Sequence, residues 1–418
     1  MSIEPSTDVI RLMSGKIAPQ GGSFFLLDPS FKGAEGGSMT FGGGVAAAAV
    51  EQNIPMKMAV NREIAADQQA DYNALPIFTV SGELGKIRYQ PVGVDTSAFF
   101  GAYARDLDLL SESVTSQDVL WDYYLLGPMQ VVAYANWLLQ LPSDHRPKLL
   151  VGIDVYSDHW FNWLSPVKDV LKELVPWLRI TTTSFTHKPV IEKQLGVPVQ
   201  LMPRPLKSRV AQGMPLDEEM VALLGEGAGA PLVGFFTDAN TVKSFHLLHG
   251  ALSVALEQTN LRFAVQVRGG PVGEACEASY MGLLALSKKY PDRIRLFNGP
   301  LPYRAYKTVV ELCDGIMIAY DPASHFSDTP SGTMCEAFAA GTVPLVVKGT
   351  SMAKELDLFG IQIPVADRQD VDSFIELLKA FSDNHAAWWQ QNEQAIDRWN
   401  EFQSYGNLFK HVFELEWA

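Results

Sequence analysis

From Leu232 to Pro364 the chain alternates short apolar runs with stretches of helix-forming composition. The apolar runs are Leu232–Phe236, Arg262–Gln266, Ile294–Leu296, Gly315–Ile318, Val343–Val347 and Ile361–Pro364. Between them lie Ser244–Glu257, Glu274–Lys289, Tyr303–Leu312, Met334–Ala340 and Met352–Leu358. Near-continuous apolar strands are those buried on both faces, and parallel neighbours need a crossover helix between them. This half is therefore expected to be a doubly wound α/β domain. The first half opens in the same way, with a strand at Ser23–Leu27, a glycine-rich loop, a helix at Val45–Glu51 and a strand at Met56–Val60. Further strands are expected at Leu149–Ile153 and Leu178–Thr182, and helices at Gln130–Leu141 and Pro166–Leu174.

A chain of 418 residues exceeds what one core holds. The expected divisions are a first domain over 1–206, a connection over 207–230 where the sequence turns to PRPLKSRVAQGMPLDEE, a second domain over 231–369, and a helical segment over 370–418 packing back across both. The fold class is thus α/β, with two Rossmann-like doubly wound domains facing a central cleft and helices at the C-terminus. That last segment is acidic and carries Trp388, Trp389, Trp399 and Trp417.

Thirty-three Lys and Arg against 47 Asp and Glu give a formal charge of −14, so no general basic footprint exists for nucleic acid or an anionic bilayer. A local pocket for one small anion is compatible with that balance. Cys276, Cys313 and Cys335 are widely spaced and odd in number, with neither a disulfide ladder nor a Cys-x-x-Cys pair. The start MSIEPSTDVIRLMSGK lacks a basic, then apolar, leader, and the apolar block Phe338–Val347 is too short for a membrane span. A cytoplasmic protein without a transmembrane segment is expected. Nothing in the sequence sets its oligomeric state.

The densest chemical signal is Asp328–Gly341, DTPSGTMCEAFAAG. Pro330, Ser331 and Gly332 form a turn that opens a helix, and a helix start presents free N–H groups to a phosphate. Glu336 sits one turn in, where a carboxylate suits either a pair of sugar hydroxyls or simply the helix dipole.

This segment resembles the donor signature of the family 4 retaining glycosyltransferases, which have the GT-B fold: two carboxylates with seven residues between them around a proline-glycine turn, then E-A-x-A-x-G-x-P-V. Here Asp328 and Glu336 have that interval, and Glu336–Val346 reads EAFAAGTVPLV, with the proline displaced by one. Lys348, Gly349, Ser351 and Glu355 continue the likeness. The resemblance implies that Glu336 holds a nucleotide ribose, that Ser331, Gly332 and Thr333 present N–H groups to a diphosphate or sugar, and that Asp328 meets the transferred sugar. The family has glutamate where Asp328 stands, so Asp321 or His325 is an alternative for that role. A second match, Val233–Phe236 followed by Lys243 and Ser244, assigns Lys243 to the leaving diphosphate. Phe235 stands where the family has an arginine, and Arg268, or less directly Lys348, is the substitute cation.

In the first half the likeness is looser. It covers Ser184–Leu206 and the glycine loop, where Gly36 and Gly37 would let backbone approach the donor phosphate. Asp154 or His159, in DVYSDHW after the strand Leu149–Ile153, would stand on the acceptor side. Trp160, Phe161 and Trp163 would form a sugar platform or pack the core. The Asp106-Leu107-Asp108 triplet reads as a charged helical surface and not as a metal site, so no metal or other cofactor is implied. The resemblance as a whole implies an enzyme moving a hexose from a nucleotide diphosphate sugar to a hydroxyl acceptor, with retention. A sugar-nucleotide 2-epimerase and a non-catalytic sugar-nucleotide binder are the competing readings.

Overall fold

The computed structural model describes residues 22–32, 37–79, 96–123, 128–153, 164–225, 229–324 and 327–414. The chain divides into two compact units, Met1–Pro205 with Ser404–Ala418, and Leu206–Gln403.

The first unit carries β1 (Phe24–Asp28), α1 (Gly37–Glu51), β2 (Met56–Asn61), α2 (Ala66–Asp71), β3 (Ala74–Phe78), α3 (Thr96–Ser111), β4 (Val119–Asp122), α4 (Pro128–Gln140), β5 (Lys148–Gly152), α5 (Lys168–Glu173), β6 (Leu178–Thr182), α6 (His187–Leu195) and β7 (Val199–Leu201). Its strands are all parallel, in the order β3-β2-β1-β4-β5-β6-β7. Strand β1 shows why the sheet is covered twice. Phe25 and Leu27 enter one core with Tyr103, Tyr134 and Trp137, while Phe24 and Leu26 enter the other with Phe41, Val45 and Met58. Successive side chains of a strand point to opposite faces, so an all-apolar strand needs helices on both.

Strands β3 and β4 were not expected from the sequence. Edge strand β3 contains Pro76, which an edge tolerates, and β7 has only three residues. Strand β4 is four residues long and ends on Asp122, whose buried carboxylate accepts from Tyr134 Oη at 2.7 Å. Helix α1 begins at Gly37, inside the stretch read as loop, so Gly42, Gly43 and Gly44 are helical.

The second unit contains α7 (Glu218–Leu224), β8 (Leu232–Thr237), α8 (Phe245–Gln258), β9 (Arg262–Val267), α9 (Glu274–Lys289), β10 (Ile294–Asn298), α10 (Tyr303–Leu312), β11 (Gly315–Ile318), α11 (Gly332–Ala339), β12 (Val343–Val346), α12 (Ser351–Phe359) and α13 (Val371–Phe402). Its parallel strands run β10-β9-β8-β11-β12. The expected sixth strand, Ile361–Pro364, does not form. Ile361 and Ile363 are buried as a strand would bury them, yet the backbone of Gln362 pairs with a side chain: its N–H donates to Asn392 Oδ1 at 2.5 Å, and Asn392 Nδ2 donates back to its carbonyl at 3.0 Å. The buried amide of α13 supplies what a neighbouring strand would otherwise provide.

Residues read as the connection belong to this unit. Arg209 pairs with Glu311 of α10 at 3.1 Å, both nearly buried, and Met220 and Leu224 of α7 join the core. The long helix α13 also packs here, through Phe374, Phe381, Trp388 and Trp399.

The last helix, α14 (Tyr405–Phe413), lies in the first unit. Phe409 and Phe413 meet Phe24 edge-on at 5.8 and 5.9 Å. A Cβ on Gly44 would stand 2.0 Å from Tyr405 Oη, so glycine sets how closely α14 approaches α1. Gly44→Ala is expected to lower stability by about 1–3 kcal/mol, the range for overpacking, with partial recovery in Gly44→Ala/Tyr405→Phe. Equal thermal unfolding of Gly44→Ala and wild type would remove that contact from the account.

Candidate functional site

The order of the second sheet reverses between β8 and β11. Open α/β sheets bind ligands outside the carboxyl ends of the strands at such a switch point. Two loops leave the sheet there. After β8 the chain makes a 3-10 turn, Thr241–Lys243, capped by Asn240, whose Oδ1 accepts from Lys243 N–H at 3.0 Å. After β11 comes Tyr320. Lys243 Nζ donates to Tyr320 Oη at 3.2 Å and lies 4.8 Å from the ring centroid. The loops are also joined through their backbones, Asp321 N–H to Val242 C=O at 2.8 Å. Lys243 therefore brings its charge to the switch point, on the loop where the sequence expects it.

The loop after β11 continues into α11. Ser331 is the N-cap, its Oγ accepting from Met334 N–H at 3.2 Å, and Cys335 N–H donates to Ser331 C=O at 3.2 Å. The N–H groups of Gly332 and Thr333 have no acceptor among the described residues. These are the donors a helix start offers an anion. The turn before them is anchored by Ser351: its N–H donates to Ser327 C=O at 2.6 Å and its Oγ to Thr329 C=O at 2.9 Å. Gly341, at φ 77°, ends the element in the left-handed region that glycine adopts freely.

Glu336 is where the structure adds most. The sequence reading left its carboxylate free for two ligand hydroxyls; in the structure each oxygen already accepts from α10. Lys307 Nζ donates to Oε1 at 3.0 Å and Tyr306 Oη to Oε2 at 2.6 Å. The Lys307 side chain is 2% exposed and that of Glu336 13%. Tyr306 packs edge-on against Phe236 at the end of β8, 5.6 Å between centroids. Burial pushes its phenol well above the ordinary range, the Glu336 charge adds to this, and Arg268 offsets part of it. A carboxylate has about four lone-pair sites, so Glu336 retains one per oxygen for a ligand. Lys307 and Tyr306 were missed because YRAYK reads as an ordinary helix start.

The other expected residues of this unit are either exposed or buried in its core. Asp328 pairs with Lys354 of α12 at 3.1 Å, both well exposed, so the pair is weak. Arg268, after β9, is half-exposed and 3.7 Å from Asp238. Lys348 pairs with Asp367 at 3.2 Å on the surface, and Asp321 Oδ1 accepts from its own loop at Ala323 N–H. Phe235 is buried against Phe245, so the position lacking an arginine lies in the core. Glu355 is buried too, accepting from Trp399 Nε1 at 2.8 Å and Gln403 Nε2 at 3.2 Å, which makes it a packing residue of α12 and α13.

In the first unit, Gly37 is the first residue of α1, while Gly36, Asp154, His159, Trp160, Phe161 and Trp163 lie outside the described residues, as does His325 in the sequence of the second. Asp106 corrects the surface reading: it is buried and accepts from Thr79 N–H at 2.8 Å and Thr79 Oγ1 at 3.0 Å, tying the end of β3 to α3. Among the described residues no three His, Cys, Asp or Glu are grouped to hold a metal, and no helix is long and apolar enough to cross a membrane.

No protein-family model and no curated protein matches the sequence. Solved structures do match the fold. The N-terminal domain of Candida albicans trehalose-6-phosphate phosphatase superposes with a TM-score of 0.67 at 10% identity, over 96% of this chain and 97% of that one. A glycosyltransferase from Rickettsia africae gives 0.67 at 11% identity, over 94% and 97%. An Anabaena protein in complex with UDP and glucose gives 0.62 at 12% identity, over 94% and 98%. The chain thus shares the two-Rossmann fold of GT-B glycosyltransferases, as the donor signature implied.

Proposed function

We propose that this chain is a retaining glycosyltransferase that moves a hexose from a nucleotide diphosphate sugar to a hydroxyl acceptor. The observation that carries the reading is the pairing, on one helix, of two open N–H groups at Gly332 and Thr333 with a fixed carboxylate one turn further, Glu336. Anion donors and a hydroxyl acceptor at that separation suit a ribose diphosphate. The UDP and glucose held by the Anabaena protein of the same fold support the ligand class.

In this reading the remaining lone pairs of Glu336 accept the ribose hydroxyls. The start of α11 and the Lys243 ammonium meet the diphosphate, with Arg268 as a further cation beyond the end of β9. Their charge matters most as the bond from the anomeric carbon to the phosphate oxygen breaks and negative charge gathers on that oxygen. The acceptor oxygen bonds to the anomeric carbon on the same face, and its proton passes to the departing phosphate oxygen, which gives retention without a protein nucleophile. Asp328, exchanging Lys354 for a sugar hydroxyl, steadies the hexose. Gly36 and Gly37 belong to the donor-phosphate side of the same proposal, and Asp154 and His159 to its acceptor side.

Purified protein incubated with a panel of nucleotide sugars and hydroxyl acceptors should release nucleoside diphosphate and form a product whose anomeric proton coupling matches that of the donor. Inversion in the product, or an isomerised donor without transfer, would overturn the reading. Chelator treatment is expected to leave most of the activity, because cations of the chain stand at the diphosphate. Activity lost with EDTA and restored by Mg²⁺ or Mn²⁺ would count against that part.

A further inference from the structure

The donor-site reading of Lys243 is the premise here, and the residue after it carries the new observation. Ser244 has φ 56° and ψ 20°, in the left-handed region. Among the described residues only Asn53, Asn73 and Ser244 adopt positive φ without being glycine. Asparagine visits this region readily because its short amide side chain hydrogen-bonds locally, whereas serine is not among the residues enriched there. Glycine would adopt the same backbone without strain, so the serine side chain has to account for its presence.

That side chain is buried, and its hydroxyl both donates and accepts. Ser244 Oγ donates to Ala319 C=O, just past β11, at 2.5 Å, and accepts from Gln369 Nε2, just before α13, at 2.8 Å. Gln369 Nε2 also reaches Thr241 C=O at 3.3 Å. One hydroxyl therefore ties the loop after β8 to the loop after β11 and to the segment leading into α13. The loops it joins carry Lys243 and Tyr320, the cation and the ring that meet across the switch point. Residues persist in a strained conformation where their surroundings over-determine it, and such positions gather at functional sites.

We propose that Ser244 is a positioning residue for Lys243: its hydroxyl latches the Lys243 loop to the end of β11, so that the ammonium is held over the switch point before a diphosphate arrives. Gln369 is the second half of the latch. Preorganisation of this kind raises affinity by lowering the ordering cost on binding.

The test uses inorganic pyrophosphate as the probe, titrated by calorimetry into the full chain, with thermal unfolding measured alongside. Lys243→Ala is expected to weaken binding about tenfold, as for one lost charge-assisted contact. Ser244→Gly relieves the backbone while removing the latch, so its unfolding temperature should stay near that of wild type while affinity falls about fivefold, short of the full Lys243 contribution. Gln369→Leu, which leaves the backbone of Ser244 unchanged, should weaken binding in the same direction. The decisive variant is Lys243→Ala/Ser244→Gly. A residue acting through Lys243 adds nothing once Lys243 is gone, so the double variant should bind as Lys243→Ala does. Wild-type affinity in Ser244→Gly, or losses that add in full, would overturn the proposal. If Lys243→Ala itself binds as wild type, the donor-site reading fails and the latch with it, and that failure is distinguished by appearing in the Lys243 variant.

Discussion

Lys307→Met is expected to destabilise the second unit by about 3–5 kcal/mol, the cost of leaving one member of a buried ion pair without the other, and to remove most of the nucleotide affinity. Lys307 is almost fully buried, and its ammonium meets the Glu336 carboxylate, the Lys207 carbonyl at 3.4 Å and, more distantly, the Tyr303 ring, 5.9 Å to its centroid. With the cation gone, the Glu336 carboxylate keeps only Tyr306 in a site that is nearly closed to solvent. The side chain is then no longer held in place to meet ribose hydroxyls as a fixed anion. Lys307→Met/Glu336→Leu separates the two effects: replacing both charges by apolar groups is often neutral for stability, so folding should recover while binding stays lost. Urea denaturation and UDP titration of the two variants give the result. A Lys307→Met protein within about 1 kcal/mol of wild type, below the usual cost of a broken buried pair, would mean that the pair is not held as described. A destabilised variant that still binds nucleotide normally would take Glu336 out of the ligand site.

The same pair marks the limit of what the sequence discloses. Glu336 could be read from its interval to Asp328 and its place after a glycine turn, because those are local relations along the chain. Lys307 could not. A lysine in an amphipathic helix reads as a solvent-facing residue, and only the packing of α10 against α11 turns it inward. Lys243 was legible for the reason Glu336 was, whereas the left-handed backbone at Ser244 has no local signal, since its partners Ala319 and Gln369 lie 75 and 125 residues away. Strands followed a similar division. Leu232–Phe236 and Gly315–Ile318 form as the apolar runs predicted, being buried on both faces. Ile361–Pro364 had the same pattern and failed, because composition shows burial but not whether a neighbouring strand exists to take the backbone hydrogen bonds. Asn392 takes them instead.

In the first unit, Asp28→Asn is expected to raise stability at neutral pH. Asp28 ends β1, where the order of the sheet turns from β1 to β4, and it is buried. Tyr123 Oη donates to its Oδ2 at 2.7 Å and Ser30 N–H to its Oδ1 at 3.0 Å. Burial is the larger influence and raises the carboxyl from 3.8 to about 6, with the hydrogen bonds from Tyr123, Ser30 and Phe31 opposing it. A carboxyl with a raised folded-state pKa binds its proton more tightly in the folded chain than in the unfolded one. Between pH 3.8 and about 6 the folded state therefore holds more protons, and stability contributed by this group falls as pH rises through that window. The full displacement corresponds to roughly 3 kcal/mol, present below the window and absent above it. Asparagine cannot ionise, and its side-chain oxygen still accepts from Ser30 N–H while its amide faces the Tyr123 oxygen. The stability of Asp28→Asn minus that of wild type, followed by urea denaturation, should accordingly grow from near zero at pH 4 towards roughly 3 kcal/mol at pH 7. A difference that stays constant across this range would mean that Asp28 titrates alike in the folded and unfolded chain, and that its burial exacts no electrostatic cost.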